Sequence, residues 1–464
     1  MHRLIPSFIL LISFFTSSAQ DISQRLTEAV KNLEADPMLK HAIISLNVID
    51  NKTGKQVFNK NTQTGLVPAS CQKIFTSIAA FELLGQDYRY KTVLGYDGLI
   101  EAGILKGNLH IIASGDPTLG SSRWEQTKEN QVLQRWISEI KKAGIKKISG
   151  LILKDDINWG SSTIADGWIW QDIGNYYGAG AASVNWRENQ YNLNLKSGNK
   201  TGDTCTIVSI IPASVNLHLI SEVRTAEKGS GDNAFIYQPQ GANVGYVRGT
   251  IPIGERAFTI AGSLPDPFSV LINSFNALLN NEGIDIPKQE GWVSMPPVFK
   301  VNQLYTYYSP DLDSINYWFL KKSINLYGEA LLKTIAKEKE GFGSTEKGVD
   351  ILKFFWSQQG IEKSALNIMD GSGLSPQNRV TTDALVKAMM YAKSKSWFSS
   401  FYHALPEINE ITMKSGSING ARSYTGYIKS KNGADYTFAM IVNNYDGNAS
   451  EMVRKMWQIL DILK

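Results

Sequence analysis

The stretch Pro68-Ala69-Ser70-Cys71-Gln72-Lys73-Ile74-Phe75-Thr76-Ser77-Ile78-Ala79-Ala80-Phe81-Glu82-Leu83-Leu84-Gly85 decides the reading. From Ile74 to Leu84 it is almost wholly apolar, and Gly85 is a common helix stop, so it predicts a buried helix opened by Pro-Ala-Ser. Residues three apart on a helix share one face, which brings the Ser70 hydroxyl within reach of the Lys73 amine. A helix N-terminus favours a developing oxyanion and disfavours a protonated amine. A lysine base near neutral pH must lose roughly 3 units from its usual value, about 4 kcal/mol, and burial plus a second cation would supply that.

Ser-x-x-Lys recurs at Ser138/Lys141, Ser197/Lys200 and Ser344/Lys347, so spacing alone does not choose. Ser138 sits inside an amphipathic helical pattern, Ser197 in a Gly/Asn loop, and Ser344 at the start of a charged helix. Only Ser70 opens a strongly apolar one. Upstream, a helix is expected over Ile22 to Ala35. Ala42 to Asp50 alternates like a strand, Asn51-Lys52-Thr53-Gly54 turns, and Lys55 to Asn59 returns as a hairpin.

Downstream, helical patterning covers Asp313 to Lys339 and Lys347 to Gln358. Strand patterns then occupy Thr412 to Gly416, Tyr424 to Ser430 and Tyr436 to Asn443, before a final amphipathic helix from Ser450 to Leu463. Both ends of the chain would therefore complete one antiparallel sheet in a discontinuous α/β domain. The last helix, with Met452, Val453, Trp457, Ile459, Leu460 and Leu463, is read as covering that sheet in preference to lying on a membrane. Between about Lys91 and Pro297 the texture changes to short β-like runs broken by Gly, Asn and Asp, with helical pieces near Val132 to Ala143 and Pro267 to Asn280. This is read as inserted domain material.

The chain has 464 residues, enough for two to four domains, with 43% hydrophobic and 19% charged residues. A net charge of +4 with no Lys/Arg run argues against a nucleic-acid partner. His2 and Arg3, then an apolar run from Leu4 to Phe15 and small residues at Ser17 and Ala19, read as an export signal cleaved after Ala19, leaving no transmembrane span in the mature chain. The spacing of Cys71 and Cys205 leaves their pairing open, and Cys71 is read as a small buried residue. Five scattered histidines show no zinc or triad spacing, so neither metal nor cofactor is expected.

A Lys-[Ser/Thr]-Gly strand would supply the second cation, a hydroxyl for a carboxylate, and a glycine that lets substrate lie along a strand edge. Lys52-Thr53-Gly54 is a hairpin turn, and Lys196-Ser197-Gly198 with Lys200-Thr201-Gly202 is one loop. Lys414-Ser415-Gly416-Ser417 fits an edge strand leading into a hairpin. Ser-x-Asn is less specific, matching at Ser45, Ser183, Ser214, Ser314, Ser323 and Ser417 among other places. Order and neighbours favour Ser323-Ile324-Asn325, with Ser314-Ile315-Asn316 held in reserve.

The ordered set Ser70/Lys73, Ser323/Asn325 and Lys414/Ser415/Gly416 resembles the three active-site motifs of penicillin-binding proteins and serine β-lactamases. Gly107-Asn108-Leu109, Ser114-Gly115-Asp116-Pro117-Thr118-Leu119, Tyr176-Tyr177-Gly178-Ala179 and Asp370-Gly371-Ser372-Gly373-Leu374-Ser375 narrow the likeness. It is to the D-alanyl-D-alanine carboxypeptidase/endopeptidase family of low-molecular-mass class C penicillin-binding proteins, over nearly the whole mature chain. The gap of about 250 residues between Ser70 and Ser323 matches that family's insertion. Two departures are Ser415 where Thr is usual, which lacks a methyl, and Gly328 where Ala is common.

The resemblance implies a transpeptidase-like domain of residues 20–95 and 297–464. It also implies inserted domains of residues 96–170 with 263–296, and of residues 171–262, after a signal over 1–19. It implies a periplasmic, exported enzyme acting on peptidoglycan stem peptides and inhibited by β-lactam antibiotics. Ser70 would be nucleophile and Lys73 base, with the N–H groups of Ser70 and Ser417 holding the oxyanion. Ser323 would relay a proton, Asn325 would orient the peptide, Lys414 would tune the field, and Ser415 beside Gly416 would bind the terminal carboxylate. A non-catalytic peptidoglycan-binding protein, or a β-lactamase or esterase on the same fold, are the competing readings.

Overall fold

A computed structural model of the chain describes residues 10–289 and 300–464, with side-chain surroundings from residue 22 onward. The expected signal over residues 1–19 lies outside the residues so described, apart from the backbone of a helix spanning Leu10–Glu34. The expected boundary at 296/297 also lies outside the described residues.

A six-stranded sheet runs in the order Glu407–Ile408, Ile411–Ile418, Ala421–Lys429, Asp435–Asn443, Ile43–Asp50, Gln56–Lys60, and every pairing is antiparallel. The two ends of the chain meet in its middle, where Ile43–Asp50 pairs along its whole length with Asp435–Asn443. Alternation then sorts the side chains. Leu46, Val48, Phe438 and Met440 pack against the first and last helices through Leu26, Val30, Met452, Met456 and Leu460. Ala439 and Ile441 face the other way, into a cluster with Phe75, Ile78, Leu331, Trp356 and Met389. The stripe on the helix Ala449–Leu460 therefore covers the sheet.

The helix Lys73–Leu84 buries every residue from Lys73 to Phe81, as a helix that is apolar all round must, and ends where the Gly85 N–H bonds Phe81 O at φ 90°. It does not begin at Ser70. Ala69–Gln72 is a 3₁₀ turn, entered through Ala69 at φ 45°. The expected helix over Asp313 to Lys339 is two, Leu312–Lys321 and Asn325–Glu340, parted at Ser323 with φ 56°. Both breaks sit at proposed site residues, where strained backbone tends to be stored.

A second sheet of Asn302–Tyr308, Lys91–Tyr96, Leu109–Ile112 and Ile152–Asp155 is covered by helices Glu129–Lys142 and Pro267–Asn281, and its first two strands come almost wholly from residues expected in the transpeptidase-like domain. Three further sheets lie between residues 99 and 263, and some of their pairings and those of the second sheet are parallel. One apolar cluster continues from Leu94, Ile111, Trp136 and Phe275 to Leu193, Ile236 and Val247. Among the described residues no helix is long and apolar enough to cross a membrane.

Candidate active site

In a 3₁₀ turn the side chains at i and i+3 eclipse, so Ser70 and Lys73 are stacked more directly than an α-helix would stack them. Lys73 Nζ lies 3.0 Å from Ser70 Oγ and donates to Asn325 Oδ1 and the Ser372 carbonyl, each at 2.6 Å. The two carbonyl-type acceptors take two N–H groups. The third position on nitrogen faces Ser70, where a neutral amine presents its lone pair. Burial, and then the charge of Lys414, hold the Lys73 amine well below its ordinary value, against an opposing pull from Asp370 and Glu329.

Ser323 stands half-buried on the cleft wall and makes no side-chain hydrogen bond among the described residues. Asn325 is buried at the head of its helix, and both amide atoms are engaged, Oδ1 by Lys73 and Nδ2 by donation to Tyr177 O at 2.7 Å. The reserve pair lies elsewhere. Ser314 is in the first turn of a helix capped by Asp311, and Asn316 Oδ1 accepts from Ser77 in the core.

Lys414 is buried on the strand Ile411–Ile418, and burial lowers its amine to about 8. Its Nζ donates to Ser415 O at 2.7 Å. The short strand Glu407–Ile408 pairs only with Ile411 and Thr412, so among the described residues the outer edge from Lys414 to Ile418 carries no strand partner. A Cβ on Gly416 would come 2.4 Å from Pro68 O, 2.3 Å from Ser423 Oγ and 2.9 Å from Ser70 N. The glycine is thus required because the turn that carries Ser70 packs on the strand, a closer constraint than room for substrate.

The cleft above these groups measures about 1040 Å³. Ser70, Ser323, Asn325 and Ser417 line it, while Lys73, Lys414, Ser415 and Gly416 are absent from its wall. Its far side comes from the insertion, through Asp172, Tyr176 and Tyr177. Cys71 and Cys205 are both free and buried. The Cys71 thiol donates to Lys414 O at 3.2 Å, and burial pushes it up to about 11. Among the described residues no cluster of three or more His, Cys, Asp or Glu side chains is placed to hold a metal.

Residue-by-residue reading missed the support beneath Lys73. Asp370 is buried and accepts from Gln72 Nε2, Gly373 N, Asn378 Nδ2, Ser375 N and Trp168 Nε1, all between 2.7 and 3.0 Å. These bonds shape the loop that offers Ser372 O to Lys73. Glu329 is buried beneath the same loop, accepts from Gly371 N at 3.1 Å, and is pushed up to about 7 by burial and by Asp370. The departure at Gly328 also has a reason. A Cβ there would lie 2.9 Å from the Phe319 ring and 3.1 Å from Gly371 O, so its absence lets the loop and Phe319 close on the helix. The phrase Asp370-Gly371-Ser372-Gly373 was the only signal for this group.

The sequence profile of the D-Ala-D-Ala carboxypeptidase 3 (S13) family matches residues 26–461. The chain is 26% identical over 463 residues to the D-alanyl-D-alanine carboxypeptidase of Actinomadura sp. strain R39, covering 92% of this chain and 82% of that protein. It is 25% identical over 468 residues to the D-alanyl-D-alanine carboxypeptidase DacB of Haemophilus influenzae, covering 95% and 92%. In fold it matches the crystal structure of penicillin binding protein 4 (dacB) from Haemophilus influenzae with a TM-score of 0.79, at 21% identity, over 95% of this chain and 98% of that one.

Proposed function

The chain belongs to the D-Ala-D-Ala carboxypeptidase 3 (S13) family of serine hydrolases, and from that premise we propose that Ser70 is the nucleophile through which it cleaves peptidoglycan stem peptides at D-Ala. One observation carries the assignment. The buried amine of Lys73, its proton disfavoured by burial and by Lys414, lies 3.0 Å from Ser70 Oγ. As that oxygen attacks the D-Ala carbonyl, Lys73 takes its proton, and the tetrahedral oxyanion sits between the N–H groups of Ser70 and Ser417. The contact of Gly416 with the Ser70 turn supports this pairing, because it brings strand and turn together on one side of the cleft.

Collapse expels the amine, to which the Ser323 hydroxyl relays the proton, and water then hydrolyses the ester with Lys73 again as base. Lys414 keeps Lys73 neutral, and the Ser415 hydroxyl, which does not line the cleft in the resting site, turns onto the free edge to bind the terminal carboxylate. Asn325, engaged on both amide atoms, acts in the resting site by holding Lys73. A cleft of about 1040 Å³ admits cross-linked as well as linear stem peptides, so carboxypeptidase and endopeptidase action both belong to the proposal. The enzyme works outside the cytoplasm, in the periplasm.

A β-lactam should acylate the same oxygen; the Haemophilus influenzae penicillin binding protein 4 has been crystallised with one. Mass spectrometry after labelled penicillin is expected to find one adduct, on Ser70, and none in Ser70→Ala. An adduct that survives the substitution would remove Ser70 from the mechanism.

A further inference from the structure

The insertion carries a four-stranded sheet of His218–Ser221, Val244–Pro252, Arg224–Ala226 and Asn233–Tyr237. Leu219, Ala234, Ile236 and Val247 point into the core, so the alternate residues form the outer face. On an antiparallel or mixed sheet that face is usually polar. Here Ile220, Val244 and Tyr246 are 41%, 45% and 37% exposed, and Tyr237 lies half-buried beside them.

Ile220 and Tyr237 flank Tyr246 on its two neighbouring strands, and Phe235 pairs with Arg248 in the same way. The Arg248 guanidinium lies 5.2 Å from the Tyr237 ring and 5.0 Å from the Tyr246 ring, and its Nε donates to Glu222 at 2.7 Å. Three adjacent strands make the face roughly 10 Å wide. It does not end at the insertion. Phe235 lines the cleft, and so do Ile169 and Gln171 on either side of Trp170, whose ring packs 6.1 Å from Tyr237. An exposed apolar patch that runs into a catalytic cleft marks a binding surface.

We propose that this face binds the polymer's N-acetylhexosamine backbone while the attached stem peptide occupies the cleft. The proposal rests on the stem-peptide reading of that cleft. Continuity favours this occupant, since a peptide held over Ser70 must lead back to the chain that bears it, and Phe235 belongs to both surfaces. Chemistry favours it too. A sugar ring has an apolar face of C–H groups and an edge of hydroxyls and amides, which match flat tyrosine rings and the Arg248–Glu222 pair between them. A membrane surface fits poorly, because that ion pair stands in the middle of the patch.

The test is calorimetric titration of the full chain with peptide-free N-acetylhexosamine glycan strands. Wild type is expected to bind, Tyr246→Ala and Ile220→Lys to bind at least 10-fold more weakly, and Tyr246→Phe to keep most of the affinity. All three variants should be acylated by labelled penicillin at the wild-type rate, which also shows them folded. Absence of glycan binding in wild type, or equal binding in Tyr246→Ala, overturns the proposal. So does binding that goes to phosphatidylglycerol vesicles and not to glycan. Failure of penicillin to label Ser70 would instead count against the catalytic reading, whatever the glycan result.

Discussion

At the residue scale the site turns on where one proton resides. Lys73 can accept from Ser70 only when neutral, so acylation should fall as pH drops through the Lys73 value, and Lys414 helps keep that value low. Lys414→Met removes the neighbouring charge. The acid limb of the penicillin-acylation rate should then move to higher pH, and an unmoved midpoint would show that Lys414 does not act through its field. The same substitution has a stability signature. Lys414 titrates at about 8 in the fold against 10.5 when exposed, so the folded state binds fewer protons between those values. Stability from this group is complete above about pH 10.5 and is lost as pH falls through about 8. Lys414→Met should therefore be more stable than wild type at pH 7, by about 3 kcal/mol, with the gap closing towards pH 10.5; thermal unfolding across that range measures it.

At the scale of elements, the site depends on a 3₁₀ turn seated against a strand. Gly416→Ala forces a Cβ to within 2.4 Å of Pro68 O and 2.9 Å of Ser70 N, neither of which is a flexible side-chain end. Turn and strand must part, and acylation by penicillin is expected to fall at least about 100-fold, with a stability loss of about 1–3 kcal/mol. A near-normal rate would mean the Ser70 N–H is not part of the oxyanion site. The glycine itself was legible in Lys414-Ser415-Gly416, but its reason was not, because two of its three colliding neighbours, Pro68 O and Ser70 N, are backbone atoms nearly 350 residues earlier, and the third, Ser423 Oγ, is set by strand pairing. The Ser323 break was equally hidden. Ile315, Phe319, Leu320, Leu326 and Leu331 are all buried apolar residues in a run that reads as one helix, while the turn between them is made by a single positive φ. The sheet was easier to read, since period-2 patterning states which residues face each way before any partner is known.

At the scale of the molecule, residues 162–181 are stitched to the helix Asn325–Glu340 and to the loop around Asp370 and Ser375 by bonds that sequence patterning does not reveal. Lys333 Nζ donates to Ser162 O and Ala181 O at 2.6 and 2.7 Å, Ser375 Oγ donates to Gly167 O at 3.2 Å, and Asn325 Nδ2 donates to Tyr177 O. Trp168 Nε1 donates to Asp370 Oδ2 at 2.9 Å. The partners are more than 140 residues apart, and most acceptors are backbone carbonyls, which leave no mark on residue type. The arrangement makes residues 162–181 a brace for Lys73 as well as a wall of the cleft, since Asn325 and the Asp370 loop supply two of the groups around its amine. Trp168→Phe tests the brace with little change in shape. Asp370 would lose one of its five donors, a charge-assisted bond worth about 1.5–3 kcal/mol. Acylation by penicillin should slow about 10-fold, and amide exchange should quicken in residues 162–181 and 370–375 together. If only the first segment exchanges faster and acylation is unchanged, the insertion encloses the cleft without positioning the base.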